Sequence, residues 1–322
     1  LSLALAAIML IGMMVVSASA VSYNDLTDKD QIVNKDAVSM LVSLGIIEGK
    51  PDGSYGPTEN VDRAQMAKML SVIMNKGVDN SALYQSVNSG LTDITSHWAK
   101  GHINYCYTTG IIAGRGTGTF DPSATVTALE AAKMLLVAVG YDPAIEGFEG
   151  ADWAINVSVR ADEQGIFEGF TKDLSAPLNR DDAALLIYNA LDVEMIQSYT
   201  TNNYPIVYSD HRTILSDKYG VIKVEGVVTA NEWAILDDDT DTALQEGKTR
   251  IYNPDGILST TGNTAVAQDS SANVKTQVFN VSTPVDMLGK AVTMYVKKTT
   301  ILADSTVYGA PVVSDVNTVI ET

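Results

Sequence analysis

One stretch of this sequence occurs three times, and it restricts the chain more than any other feature. Residues 45–57 read Gly-Ile-Ile-Glu-Gly-Lys-Pro-Asp-Gly-Ser-Tyr-Gly-Pro, and residues 110–122 read Gly-Ile-Ile-Ala-Gly-Arg-Gly-Thr-Gly-Thr-Phe-Asp-Pro. Residues 165–177 keep Gly-Ile-Phe-Glu-Gly and end in Pro177. The first glycine (Gly45, Gly110, Gly165), the second (Gly49, Gly114, Gly169) and the proline (Pro57, Pro122, Pro177) hold the same spacing in every copy. A fixed spacing of this kind marks one supersecondary unit used repeatedly.

Each copy reads as helix, glycine-rich loop, helix. Before the first loop, Val33, Ala37, Val38, Leu41 and Val42 recur at helical spacing from Gln31 to Leu44, and Gly45 stops the helix. Pro51-Asp52-Gly53 reads as a turn, and a second helix starts near Val61, with Asn60 or Asp62 as its N-cap. In the second copy the helices start near Trp98 and Thr127; in the third they start near Trp153 and Arg180. One such hairpin cannot cover its own apolar face, so the three must pack together. The expected repeat boundaries are 21–78, 91–141 and 151–192.

Beyond Leu191 the texture changes. Residues 205–322 are rich in Val, Thr, Ile and Tyr, with strand-like runs at Val221–Val228, Thr249–Tyr252, Gln277–Val281 and Ala291–Val296. They read as a separate antiparallel β domain, with a long exposed loop over Ser259–Ser271 and no obvious closing element. The fold class expected is therefore α + β and multidomain.

The first twenty residues are uncharged, apolar from Leu3 to Val16, and end Ala18-Ser19-Ala20. That pattern reads as a secretory signal peptide, cleaved after Ala20, with its basic n-region missing. An uncleaved membrane anchor is the competing reading, disfavoured by the small-residue site and the polar stretch after it.

With 21 basic and 39 acidic residues the formal charge is -18, which argues against a nucleic-acid partner. Cys106 has no cysteine partner and aligns with Leu41 and Ala161, so it reads as a buried small hydrophobe. Three scattered histidines offer no zinc constellation, and no cofactor or metal is expected. The run Asp237-Asp238-Asp239-Thr240-Asp241 lacks the glycine and distal glutamate of a calcium loop and reads as a solvated turn. Ser209, Asp210 and His211 are adjacent on an extended segment, so they point to opposite faces and suggest no catalysis.

The repeats resemble S-layer homology (SLH) domains, the wall-anchoring modules of bacterial surface proteins. Leu91-Thr92-Asp93-Ile94 with His97-Trp98-Ala99 is similar to the family's opening motif, the Gly-Ile-Ile-x-Gly loop to its centre, and Val61-Asp62-Arg63-Ala64-Gln65 to its Ile-Thr-Arg-Ala-Glu. The resemblance covers about residues 23–192. It implies a pseudo-three-fold spindle whose grooves bind secondary cell-wall polysaccharide, pyruvylated or not, or another wall polymer. The sequence shows no catalytic signature and so reads as non-enzymatic, and the resemblance admits self-assembly in a surface lattice. The rival is an extracellular enzyme with its catalytic domain beyond Thr322.

The residues carried over as glycan-binding are Asp25, Arg63, Asp93, Trp98, Trp153, Arg180, Gly49 and Gly114. A guanidinium suits a sugar carboxylate, an indole suits the C–H face of a sugar ring, and a glycine lets backbone N–H groups approach closely. Each also has a structural reading: the tryptophans as core anchors, the aspartates as caps or turn formers, the glycines as loop elements. No copy holds the full set, because the first has Val33 at the tryptophan position and the second has Ala128 at the arginine position. Grooves formed between copies would let Trp98 or Trp153 meet an arginine of a neighbour, with one or two of three grooves binding.

Overall fold

The computed structural model describes residues 22–236, 243–254, 275–297 and 306–314. The expected signal peptide, the acidic run 237–241 and the expected loop 259–271 lie outside the described residues.

Among the described residues, six α-helices form three helix-loop-helix units: α1 (Lys35–Ser43) with α2 (Arg63–Met74), α3 (Lys100–Thr108) with α4 (Ala128–Val139), and α5 (Trp153–Glu163) with α6 (Arg180–Leu191). The glycine that ends each first helix has a left-handed φ, +71° at Gly45, +79° at Gly110 and +70° at Gly165, which a residue with a Cβ adopts only with strain. Each second helix is capped by its own sequence. Asp62 accepts from Gln65 N and Thr127 from Glu130 N, with Gln65 and Glu130 reaching back to complete capping boxes, and Asn179 accepts from Asp182 N.

The first helix is shorter than its periodicity suggested. Lys29–Gln31 forms a 3-10 turn, and α1 starts only at Lys35. The carboxylate of Asp181, from α6, accepts Val33 N at 3.3 Å and Asn34 N at 3.2 Å, so the chain is held in a bend where helix would otherwise extend. Likewise α3 starts at Lys100, two residues after Trp98.

The segments just before the second helices bind one another in a closed ring. Val61 N donates to Leu178 O at 2.8 Å, Leu178 N to Val126 O at 2.7 Å, and Val126 N to Val61 O at 2.9 Å. All three side chains are buried. Just outside the ring, Arg63 N donates to Ala124 O, Leu129 N to Leu174 O and Arg180 N to Glu59 O. Every second helix therefore begins against the loop of another unit, and any buried groove must draw on more than one unit. Cys106, Leu41 and Ala161 occupy equivalent, fully buried sites, with Cys106 Sγ directed at Ala67 O.

A two-stranded hairpin, β1 (Ile196–Tyr199) with β2 (Pro205–Val207), follows the helices. Then comes a five-stranded antiparallel sheet of β3 (Val221–Asn231), β4 (Thr249–Tyr252), β5 (Thr276–Phe279), β6 (Ala291–Lys297) and β7 (Val307–Val313), in the order β5-β4-β3-β6-β7. Ile222, Val224, Val228, Ile251, Phe279, Val292, Met294 and Val296 form the sheet's own core.

Two expectations are corrected here. The sheet does not stand apart: Val221 and Tyr295 join the helical core, Tyr295 packs edge-on against Tyr188 at 5.8 Å, and Lys223 Nζ reaches the Asp192 carboxylate at 3.5 Å. And the sheet has a closing strand, β7, which packs against α1, with Gly309 lying close to Met40. Gly309 and Pro311 obscured it in the sequence, but proline is tolerated at a sheet edge, where an N–H is not needed by a neighbour.

Candidate ligand-binding grooves

Two grooves lie between units, and each draws its principal side chains from all three. The first, of about 380 Å³, is lined by Arg63 of the first unit, the Gly114 loop and Lys133 of the second, and Trp153 of the third. The second, of about 220 Å³, is lined by Arg180 of the third unit, the Gly49 loop and Lys68 of the first, and Trp98 of the second. They are called the Trp153 and Trp98 grooves below.

Arg63 is only 4% exposed. Its Nε donates to Phe120 O and its Nη2 to Ala113 O, both at 2.9 Å, and its guanidinium carbon lies 4.4 Å from the Phe120 ring centroid. Burial pushes its pKa down to about 10, with Arg115 adding to the effect, so it still carries a charge at neutral pH. Arg180 is held the same way, with Nε donating to Tyr55 O at 2.8 Å and the guanidinium 4.8 Å from the Tyr55 ring. Neither guanidinium has a carboxylate within ion-pair distance among the described residues. A desolvated, unpaired cation fixed by carbonyls attracts an anion more strongly than one in water does.

Each groove also holds a lysine one turn and a half into the second helix. Lys133 Nζ donates to Phe148 O and lies 5.8 Å from the Trp153 ring, and burial lowers its pKa. Lys68 Nζ instead pairs with Glu48 at 3.2 Å. At the rims, Arg115 pairs with Glu130 and Lys50 with Glu59. Trp153 is half-buried, whereas Trp98 is 56% exposed, which excludes a core-anchor role for Trp98. Gly114 is required sterically: a Cβ there would come within 2.9 Å of Thr119 O.

The aspartates do not line either groove. Asp93 ties its loop together, accepting from Phe120 N at 2.9 Å and Asp121 N at 2.7 Å. Burial raises its pKa, but these N–H bonds outweigh that and hold the carboxyl below the usual range. Its equivalent in the first unit is Asp28, which accepts from Tyr55 N at 2.7 Å and Gly56 N at 2.8 Å. Asp25, matched to Asp93 in the sequence, instead closes a short turn by accepting from Ser22 N. The repetition of Leu26-Thr27-Asp28 as Leu91-Thr92-Asp93 was the signal that identifies Asp28.

The same register identifies further residues that sequence reasoning passed over: Lys68 with Lys133, and Tyr55 with Phe120. It also shows what stands at the third set of positions. Ala128 replaces the arginine, Val33 the tryptophan, Leu185 the lysine, Ser175 the aromatic ring and Phe170 the rim cation. Val33 is 81% exposed, and the Leu185 side chain faces Gly169. The gaps in the individual repeats thus fall together in one place.

Residues 22–67 and 90–132 match the family model of the S-layer homology domain. Over those two segments the chain is similar to S-layer homology domains. The match takes in α1 and α3 whole and only the start of α2 and α4, and the third unit lies outside it. Over 253 residues, 77% of its length, the chain is 28% identical to a cell surface protein of Thermoanaerobacter kivui, of which it covers 30%. It is 33% identical over 113 residues to an S-layer protein of Bacillus licheniformis, covering 35% of this chain and 12% of that one. An exoglucanase of Acetivibrio thermocellus is 28% identical over 188 residues, 54% of this chain and 16% of that enzyme. The chain therefore spans less than a third of the length of each of these relatives. In both S-layer homology segments the matched residues include an arginine-bearing or glycine-bearing wall of a groove, Arg63 and Gly49 in one and Gly114 with Trp98 in the other.

Proposed function

We propose that the three helical units form a pseudo-three-fold anchoring module, of which the third unit is a diverged S-layer homology repeat. The module holds an exported surface protein noncovalently on the bacterial cell wall by binding an anionic wall polysaccharide in the Trp98 and Trp153 grooves. The observation that carries this reading is the recurrence, in both grooves, of an arginine fixed by backbone carbonyls without a carboxylate partner beside a tryptophan from another unit. A guanidinium fork pairs with a carboxylate or phosphate through two parallel bonds, and an indole offers an apolar plate for a sugar ring. The loop around Gly49 or Gly114 brings backbone groups to the ligand between them.

The third set of positions has Ala128, Leu185 and Phe170 where the others have cations, so two grooves per chain do the binding. The relatives named above as cell surface and S-layer proteins support surface location and lattice membership. The exoglucanase, with an amylopullulanase of Thermoanaerobacterium thermosulfurigenes that is 30% identical over 186 residues, supports a second reading in which the same module tethers an enzyme. Anchoring is common to both readings.

The test is co-sedimentation of the chain with purified bacterial sacculi before and after hydrofluoric acid strips their polysaccharide. Binding that disappears with the polysaccharide is the expected result. Undiminished binding to stripped sacculi, or none to intact ones, would remove the proposal.

A further inference from the structure

The two grooves place their carboxylates differently: Glu130 and Glu149 line the Trp153 groove, whereas the Trp98 groove has Gln65 in place of Glu130 and carries its carboxylate at a loop position instead. In the Trp98 groove the residue between the second isoleucine and the second loop glycine is Glu48, an exposed carboxylate 3.2 Å from Lys68 Nζ. In the Trp153 groove the same position is Ala113, whose carbonyl accepts from Arg63 and whose side chain carries no charge. Lys133, the counterpart of Lys68, has no carboxylate within ion-pair distance among the described residues; Glu149 lines the groove but lies beyond that reach.

We infer that Glu48 is a specificity-determining residue of the Trp98 groove that competes internally with the anionic ligand for Lys68. This rests on the proposed glycan-binding role of the grooves. An anion entering the Trp153 groove meets Arg63 and Lys133, neither with a carboxylate in ion-pair distance among the described residues, with Glu130 and Glu149 elsewhere in the lining. An anion entering the Trp98 groove meets Arg180 unpaired but must displace Glu48 from Lys68 or sit beside a carboxylate. Because the Lys68–Glu48 pair is largely solvent-exposed, its strength is that of a surface ion pair, which corresponds to a change of about two- to fivefold in affinity.

The third repeat supplies a matched control. Glu168 occupies the same loop position, is exposed, and has no lysine in ion-pair distance among the described residues; Leu185 stands where Lys68 and Lys133 do. The experiment measures the affinity of the full chain for intact sacculi with Trp153→Ala as background, which leaves the Trp98 groove as the wall contact. Adding Glu48→Ala or Glu48→Gln is expected to tighten binding about two- to fivefold, whereas Glu168→Ala leaves it unchanged. The reciprocal Ala113→Glu, in a Trp98→Ala background, is expected to weaken binding. Equal tightening by Glu48→Ala and Glu168→Ala would attribute the effect to overall charge and overturn the inference while leaving the grooves intact. Loss of all binding in Trp153→Ala alone would show the Trp98 groove to be no site and overturn it as well. Failure of the unmodified chain to bind intact sacculi would remove the anchoring proposal and this inference together.

Discussion

Tyr55 and Arg180 are bound to each other in both directions. Arg180 Nε donates to Tyr55 O at 2.8 Å, Tyr55 Oη donates to Arg180 O at 2.7 Å, and the guanidinium lies over the Tyr55 ring. The pair joins the loop of the first helical unit to the last helix of the third, and it presents the arginine to the Trp98 groove. In the Trp153 groove, Phe120 fills the place of Tyr55 beneath Arg63 without a hydroxyl. Tyr55→Phe should therefore cost about 1 kcal/mol of stability through the lost buried hydrogen bond, while the stacked cation and sacculus binding remain. Urea denaturation and co-sedimentation on the same protein check both halves.

Arg63 and Trp98 should separate stability from binding. Arg63→Ala leaves Phe120 O and Ala113 O without their donor and strips the packing over the Phe120 ring, at about 2–4 kcal/mol. Trp98 is mostly exposed, so Trp98→Ala should change stability by less than about 1 kcal/mol and yet weaken sacculus binding. A Trp98→Ala protein with unchanged melting and unchanged binding would remove the indole from the site.

The third set of positions should be silent. Val33→Ser replaces an exposed side chain where the other units carry tryptophan, and it should alter neither melting temperature, within the equivalent of about 0.5 kcal/mol, nor binding. A loss of binding on this change would restore a third working groove.

His102 should make the fold acid-sensitive. The ring is 4% exposed, with Nδ1 2.6 Å from Ser71 Oγ and Nε2 3.6 Å from the Asp79 carboxylate. Burial lowers its pKa; Asp79 opposes that and Lys68 adds to it. The unfolded chain then binds more protons than the folded one once pH falls below about 6.5, so the stability that depends on the neutral ring is lost as pH drops through that value. Asp36 and Asp181, whose pKa values burial raises, act in the opposite sense and nearer the carboxylate range. His102→Val, which copies Val157 at the equivalent site of the third unit, should reduce the fall in melting temperature between about pH 7.5 and pH 5.5. Calorimetric scans at the two pH values decide it.

The sequence by itself determined the helices, their caps and their loops. Glycines at a fixed interval, Asp62 and Thr127 ahead of apolar stripes, and the strand-like runs from Val221 onward all act within a few residues of where they stand. It also contained the register that pairs Lys68 with Lys133 and Asp28 with Asp93, because equivalent residues keep equivalent distances from the loop glycine. Only the tertiary structure decided which residues share a groove. The hydrogen-bond ring of Val61, Leu178 and Val126 sets each second helix against another unit's loop, and so it places Arg63 with Trp153 and Arg180 with Trp98. Tertiary contacts likewise bent the chain at Asn34 through Asp181 and drew β7 onto α1. These partners lie far apart along the chain, and no local propensity records the distance between them. A repeat pattern dictates the shape of one unit, whereas a site assembled from three units depends on how they close upon one another.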